Sequence, residues 1–410
     1  MTGVLAEPLK LPNGTVLRNR LAKAALSESL GNKEQAPTKE LLRVYERWAQ
    51  SGAGLLITGN VMIDRHALGE FGNVAVEDER HLEALSQWAN ISKSGGAHVW
   101  VQLNHPGRQA ARGLNETAFA PSAVMVKGAP GIYAKPRELT SAQIEDIIKR
   151  FVESARIVTK AGFTGVQVHS AHGYLLSQFL SPLTNQRTDE WGGSPENRRR
   201  ILIEIVRAVR VELGDQIPLA VKLNSADFQK GGMSEDESLE VVLALAAENI
   251  DLLEISGGNY EATAFVGAHL QDEIKESTRK REAYFLDYAE RVRAAVPSLP
   301  LMVTGGFRSK AAMEQAISAG SADVIGLGRP MIMEPNLPQK ILAGKDRAGD
   351  VHIRRWHIKH LEGMGELLWY SVQLRRLGQG HEPDPNRHPI QNIGPYLQSM
   401  ALFGKAKRGF

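Results

Sequence analysis

The sequence predicts an α/β fold, a (β/α)8 TIM barrel with a capping insertion after the third strand and a helical extension at the C-terminus. Three observations lead there. Short apolar runs alternate with amphipathic helical stretches until eight strands are counted. Several of those runs are apolar at nearly every position, as strands buried on both faces should be. Two histidines and a tyrosine crowd just past the fourth run, at the strand end where barrels carry their chemistry. An open doubly wound sheet is the alternative, but the first strand–helix turn lacks a G-x-G-x-x-G fingerprint.

In chain order, Leu21 to Leu26 is the first strand, and Lys39 to Gln50 is an amphipathic helix with Leu41, Leu42, Tyr45 and Trp48 on one face. Gly54 to Thr58 is the second strand, followed by a helix around His81 to Lys93 and a third strand from His98 to Leu103. Asn104 to Leu139, rich in Gly, Pro and Ala, is too long for an ordinary strand–helix connection and predicts a cap over the active face. Thr140 and Gln143 form a capping-box signature for a helix from Ser141 to Lys160. The run before His169 is the fourth strand, and Pro195 suits the first turn of the next helix. Strands Leu219 to Leu223, Leu252 to Ile255, Leu301 to Thr304 and Val324 to Leu327 complete the eight. Their helices start near Ser234, near Ala283 and at Lys310. Past Gly344, arginines and lysines punctuate a segment holding Trp356, Trp369 and Tyr370, and a Pro-rich stretch follows. The expected division is a barrel over 1–345 and a helical extension over 346–410 packed outside it.

With 42% apolar and 23% charged residues, the 410-residue chain has the balance of a soluble globular enzyme. The N-terminus lacks a basic region followed by an apolar run, and no apolar window nears the roughly 20 residues that span a bilayer. A cytoplasmic protein with no membrane partner is expected. A net charge of +3, with no basic stripe interleaved with aromatics, argues against a nucleic-acid partner. These 410 residues contain no cysteine, which removes disulfides, thiolate zinc sites, iron–sulfur clusters and a cysteine nucleophile.

Five groups of residues carry chemistry. Thr304-Gly305-Gly306 and Gly326-Leu327-Gly328-Arg329 end the seventh and eighth strands, where barrels recurrently bind phosphate; the bland alternative is two tight turns and a surface arginine. His169 and His172 could be a metal pair completed by Asp189 or Glu190, structural core histidines, or two donors to one substrate oxygen. Tyr174 is a candidate proton donor, although a buried packing tyrosine is the commoner state. Gln102 offers acceptor and donors to an amide-like heterocycle edge. Lys222 inside a barrel must face a carboxylate, a phosphate or an electron-rich cofactor, because an unpaired buried charge is costly.

The run His169-x-x-His172-Gly173-Tyr174, with Phe179-Leu180-Ser181-Pro182, Asn185, Arg187-Thr188-Asp189-Glu190 and Gly192-Gly193-Ser194-Pro195-Glu196-Asn197-Arg198, resembles the Old Yellow Enzyme family of FMN-dependent NAD(P)H oxidoreductases. Asn19-Arg20, Gln102-Leu103-x-His105-x-Gly107-Arg108 and Ala120-Pro121-Ser122-Ala123 match too, and the resemblance covers roughly residues 3 to 343. It implies non-covalent FMN, lined by Ala24, Ala25, Leu26, Ser27 and Asn60, with Ser27 bonding the flavin's carbonyl edge. Gln102 would pair with the pyrimidine ring and Lys222 would face N1 and O2. Gly305, Gly306, Gly328 and Arg329 would hold the phosphate. His169 and His172 would bind a carbonyl or nitro oxygen, and Tyr174 would protonate carbon.

Four positions depart from the family pattern: Ala25 for proline, Ser27 for threonine or cysteine, Lys222 for arginine, and Asn60 for a small residue. The absent cysteines exclude the iron–sulfur branch. The resemblance thus implies reduction of α,β-unsaturated carbonyl and nitro compounds with NAD(P)H as electron donor. Two rivals stand beside it: a metal-dependent barrel hydrolase using His169 and His172, and a flavin-binding protein without turnover. The terminal Lys407-Arg408-Gly409-Phe410 resembles tails that reach a neighbouring subunit, which would imply a homo-oligomer.

Overall fold

The computed structural model describes residues 3–127, 131–257, 283, 285–349, 362–388, 391 and 394. Eight parallel strands form the barrel: β1 (Leu21–Lys23), β2 (Leu55–Met62), β3 (His98–Asn104), β4 (Gly165–Ser170), β5 (Leu219–Asn224), β6 (Leu252–Ser256), β7 (Leu301–Thr304) and β8 (Val324–Leu327). Each pairs with its sequence neighbours, and β1 closes the ring by pairing with both β2 and β8. The helices are α1 (Lys39–Ala49), α2 (Leu82–Lys93), α3 (Ser141–Lys160), α4 (Leu175–Leu180), α5 (Pro195–Leu213), α6 (Glu235–Ala247), α7 (Leu286–Ala295), α8 (Lys310–Ser318), α9 (Pro330–Met333), α10 (Leu337–Leu342) and α11 (Glu362–Gly378).

Local chemistry explains the boundaries. The Thr140–Gln143 capping box forms and opens α3, and Ser234 with Glu237 does the same for α6. Two strands differ from expectation by more than one residue. β1 stops at Lys23, the last residue in register with β8. β2 runs past Thr58 to Met62, with a register irregularity between Ile57 and Asn60. There the Thr58 hydroxyl accepts from the Gln102 amide at 3.0 Å, replacing the lost ladder bond. A side chain thus carries a strand across polar residues that hydropathy would end it on.

The barrel interior is small and apolar toward its N-terminal end. Ala22, Leu55, Ile57, Trp100, Ala220, Leu252, Met302 and Val324 pack there with Leu11 and Leu17 beside the hairpin Leu9–Lys10/Val16–Leu17. The larger core lies between the strands and the helices. Asn104 to Leu139 forms a short 3-10 turn, Gly107–Gln109, and a parallel ribbon of Ala118–Ala120 with Pro136–Glu138. Arg187 clamps it to the loop after α4, donating to the carbonyls of Pro121 (3.1 Å) and Leu139 (2.6 Å).

Within the segment expected to be a tail, α11 packs on α1 and α9. Gly378 lies so close to α1 that a Cβ would sit 2.9 Å from the Glu40 Cβ, and Arg43 donates to its carbonyl at 2.7 Å. Residues Lys407 to Phe410 lie outside the described residues. Among the described residues no helix is long and apolar enough to cross a membrane.

Candidate active site

Strand register assembles a polar layer at the C-terminal end of the barrel. Lys222 stands opposite His169 on one side and Glu254 on the other, and Gln102 stands between Asn60 and Gln167. These side chains link across the barrel. Gln102 Nε2 donates to Gln167 Oε1 at 2.8 Å, and Gln167 Nε2 donates to Glu254 Oε2 at 2.7 Å. Glu254 Oε1 receives the Thr304 hydroxyl at 2.7 Å and the Lys222 ammonium at 2.9 Å. The anion that Lys222 demanded is therefore a carboxylate, and Glu254 is wholly buried. Sequence reasoning missed it, although a lone acid within Leu252-Leu253-Glu254-Ile255 was its signal.

β4 delivers the histidines. His172 (φ 60°) and Gly173 (φ 73°) are both left-handed and turn the chain sharply after the strand. The Asn224 side chain accepts the His172 amide at 3.1 Å, while Gln109 donates to the carbonyls of His172 (3.1 Å) and Gly173 (2.8 Å). His169 Nε2 lies 3.2 Å from His172 Nδ1, and His172 Nε2 lies 2.8 Å from the Ser256 hydroxyl. Burial holds both imidazoles well below the ordinary histidine range; the positive charge of Lys222 adds to this. They are neutral at pH 7.

Tyr174 is the N-cap of α4 and stacks edge-on against His169, with ring centroids 5.0 Å apart. Asn60 joins the two: its Oδ1 is 2.9 Å from His169 Nδ1 and its Nδ2 is 3.2 Å from the Tyr174 hydroxyl. The same Nδ2 donates to the Ser27 hydroxyl at 3.2 Å, and Ser27 donates to Glu70 at 3.1 Å. Burial raises the pKa of Glu70, opposed by the hydroxyls of Ser29 and Ser27. Glu70 is a second residue that sequence reasoning did not single out.

A cavity of about 190 Å³ opens beside this cluster, lined by Ala25, Leu26, His172, Lys222, Gly305, Gly306, Arg308, Gly328 and Arg329 among others. Ala24, Ser27, Asn60, Gln102, His169 and Tyr174 are not among its lining residues. Gly305 (φ 126°) and Gly306 (φ 94°) hold backbone angles that favour glycine, so the turn after β7 borders the cavity without side chains. A Cβ on Gly328 would meet Leu26 at 3.4 Å. Glu366, Leu367 and Tyr370 of α11 line its far end, with Glu366 ion-paired to Arg329. Arg308, Glu366 and Tyr370 had no recognised role in the sequence.

As for a metal, the ring nitrogens of both histidines face Asn60, Ser256 and each other, and Asp189 is held by Arg187 at 2.9 Å. Among the described residues no group of three or more His, Cys, Asp or Glu is placed to hold a metal.

Residues 4–347 match the model of the NADH:flavin oxidoreductase / NADH oxidase family. The chain belongs to that family. Its cofactors are FMN and NAD(P)H, and three cations with two glycine turns around one cavity suit an anionic flavin. An NADH-dependent flavin oxidoreductase of Hypocrea jecorina is 35% identical over 82% of this chain and 88% of that protein. One from Neonectria sp. is 37% identical over 81% of this chain but only 46% of its own length. The solved Old Yellow Enzyme homologue from Zymomonas mobilis has 25% identity and a TM-score of 0.72, covering 85% of this chain and 94% of that one.

Proposed function

We propose that this flavin oxidoreductase is an ene-reductase, reducing C=C bonds activated by a carbonyl or nitro group. The observation that carries the reading is the joint placement of two neutral imidazoles and a phenol in one buried network beside a cation-lined cavity. FMN, when bound, supplies the redox chemistry, taking hydride from NAD(P)H and returning it to the acceptor's β-carbon. Arg329, Gly305, Gly306 and Gly328 would hold its phosphate, and Ala24 to Ser27, Asn60, Gln102 and Lys222 would line its ring.

The histidine pair binds the activating oxygen of the acceptor and stabilises the charge that grows there, an effect of about 2–4 kcal/mol by comparison with oxyanion donors. Tyr174 gives its phenolic proton to the α-carbon, since a phenol with a reference pKa near 10 is protonated at neutral pH. The barrel unit is residues 1–345, and the extension 346–410 packed on it adds Glu366, Leu367 and Tyr370 to the cavity lining. Anaerobic mixing tests the whole reading: the yellow protein should bleach with NADH or NADPH and recover colour when cyclohexenone is added. Bleaching without recovery would leave a flavin protein that does not reduce enones.

A further inference from the structure

The Lys222–Glu254 pair is divided by the cavity wall. Lys222 lines the cavity, while Glu254 is wholly buried and is not among the lining residues. β5 and β6 place the two opposite each other in register, and their charged atoms lie 2.9 Å apart. Glu254 is held from two further directions, by Gln167 Nε2 on Oε2 at 2.7 Å and by the Thr304 hydroxyl on Oε1 at 2.7 Å. All three partners donate, so the carboxylate serves only as an acceptor. The neighbouring strand β8 keeps space for this arrangement. A Cβ on Gly326 would collide with the Thr304 hydroxyl that reaches Glu254.

We propose that Glu254 is a buried counter-ion that sets the reduction potential of the flavin by offsetting the positive charge of Lys222. Two-electron reduction adds negative charge to a flavin. A cation on the cavity wall favours that reduced form, and an anion just behind it opposes the effect. Because both side chains are buried, solvent ions do little to screen either charge. The cavity therefore holds reduced FMN less tightly than its three lining cations, Lys222, Arg308 and Arg329, would alone. A less stabilised reduced flavin is the stronger hydride donor. The inference rests on FMN occupying the cavity that Lys222 lines; it does not depend on which acceptor the reduced flavin meets.

Anaerobic titration of the FMN-loaded protein against redox dyes reads the potential with no acceptor turnover. Glu254→Gln keeps the size of the side chain and an acceptor oxygen but removes the charge. It should shift the equilibrium toward reduced flavin roughly 10- to 100-fold, a rise of about 30–60 mV for a two-electron couple. The double variant Lys222→Met/Glu254→Gln removes both charges and leaves no lone buried ion to unfold the barrel. Its potential should return close to that of the parent. A purely structural role for Glu254 would not be reversed by removing its partner, so a rise that persists in the double variant overturns the proposal. A Glu254→Gln potential at or below the parent overturns it too, and the double variant then says why. If the double variant falls below the parent, Lys222 acts on the flavin and Glu254 does not. If it stays at the parent value, the flavin lies away from Lys222 and the siting of the cofactor fails as well.

Discussion

On the β2–β4 side of the barrel mouth, Asn60, His169, His172 and Tyr174 are side chains bonded to one another, and their polar atoms are directed by neighbours from several strands. On the β7–β8 side, glycines of the strand-end turns border an open cavity that Arg308 and Arg329 also line, and Arg329 is ion-paired to Glu366 of α11. The first arrangement suits proton placement, because rigid partners define which atom carries each hydrogen. The second suits anion binding, where backbone and guanidinium adapt to a ligand that brings its own charge. Substitutions on the two sides should therefore fail in different assays.

The largest effect is expected on the histidine side. Tyr174→Phe removes the proposed proton donor and should slow reoxidation by cyclohexenone about 10²–10⁴-fold, the usual range for general acid catalysis. Flavin reduction by NAD(P)H should be unchanged, as should reduction of a nitroalkene, whose anionic product can be protonated in water. Stopped-flow traces of each half-reaction read this, and an unimpaired enone step would assign the proton to another group. Next is Lys222→Met, which strands a fully buried Glu254 between the two sides. Breaking a buried ion pair costs about 3–5 kcal/mol. Denaturant unfolding of the flavin-free protein should show that loss; under about 1 kcal/mol would mean that Glu254 takes a proton or water instead.

The same division decided what the sequence could reveal. The side chains that pack together, His169, His172 and Tyr174, lie in one short run and so were readable as a cluster. The barrel was readable because apolar runs and caps are local: β7, β8, α3 and α8 start and end where expected. Partners brought in by register were not. Glu254 meets Lys222 only because β5 and β6 align them, and Glu70 reaches Ser27 from a loop 43 residues away. The amide nitrogen of Gln102 donates to Gln167, a neighbour that only the strand pairing supplies. The cover that α11 lays over the far end of the cavity was invisible for the same reason: nothing local in Glu362 to Gly378 names Arg329 as its partner.

A middle-sized effect belongs to the cavity side. Arg329→Ala should weaken FMN by roughly 10–100-fold, since hydrogen bonds to charged groups contribute about 1.5–3 kcal/mol. Riboflavin, which lacks the phosphate, should bind the variant and the parent alike in fluorescence titrations. Equal losses for both ligands would place the phosphate elsewhere and make Arg329 a structural residue.

The smallest effect tests whether α11 belongs to the cofactor site at all. Glu366 pairs with Arg329, and the two side chains are 24% and 27% exposed. A phosphate held by Arg329, as proposed, would draw on the same guanidinium as the carboxylate, so flavin binding would share or displace the pair. Partly exposed pairs contribute only about 0.2–1 kcal/mol. Glu366→Gln should accordingly tighten FMN by roughly 1.5- to 5-fold. Riboflavin affinity should stay fixed, because no phosphate competes. The Arg329 ring contact with Tyr370, 5.9 Å to the centroid, keeps the guanidinium in place when the carboxylate is neutralised. Weaker FMN binding in Glu366→Gln would reverse the sign and show that the carboxylate orients Arg329 for the phosphate. Equal affinity would mean that α11 only covers the barrel and that the phosphate meets a different face of Arg329.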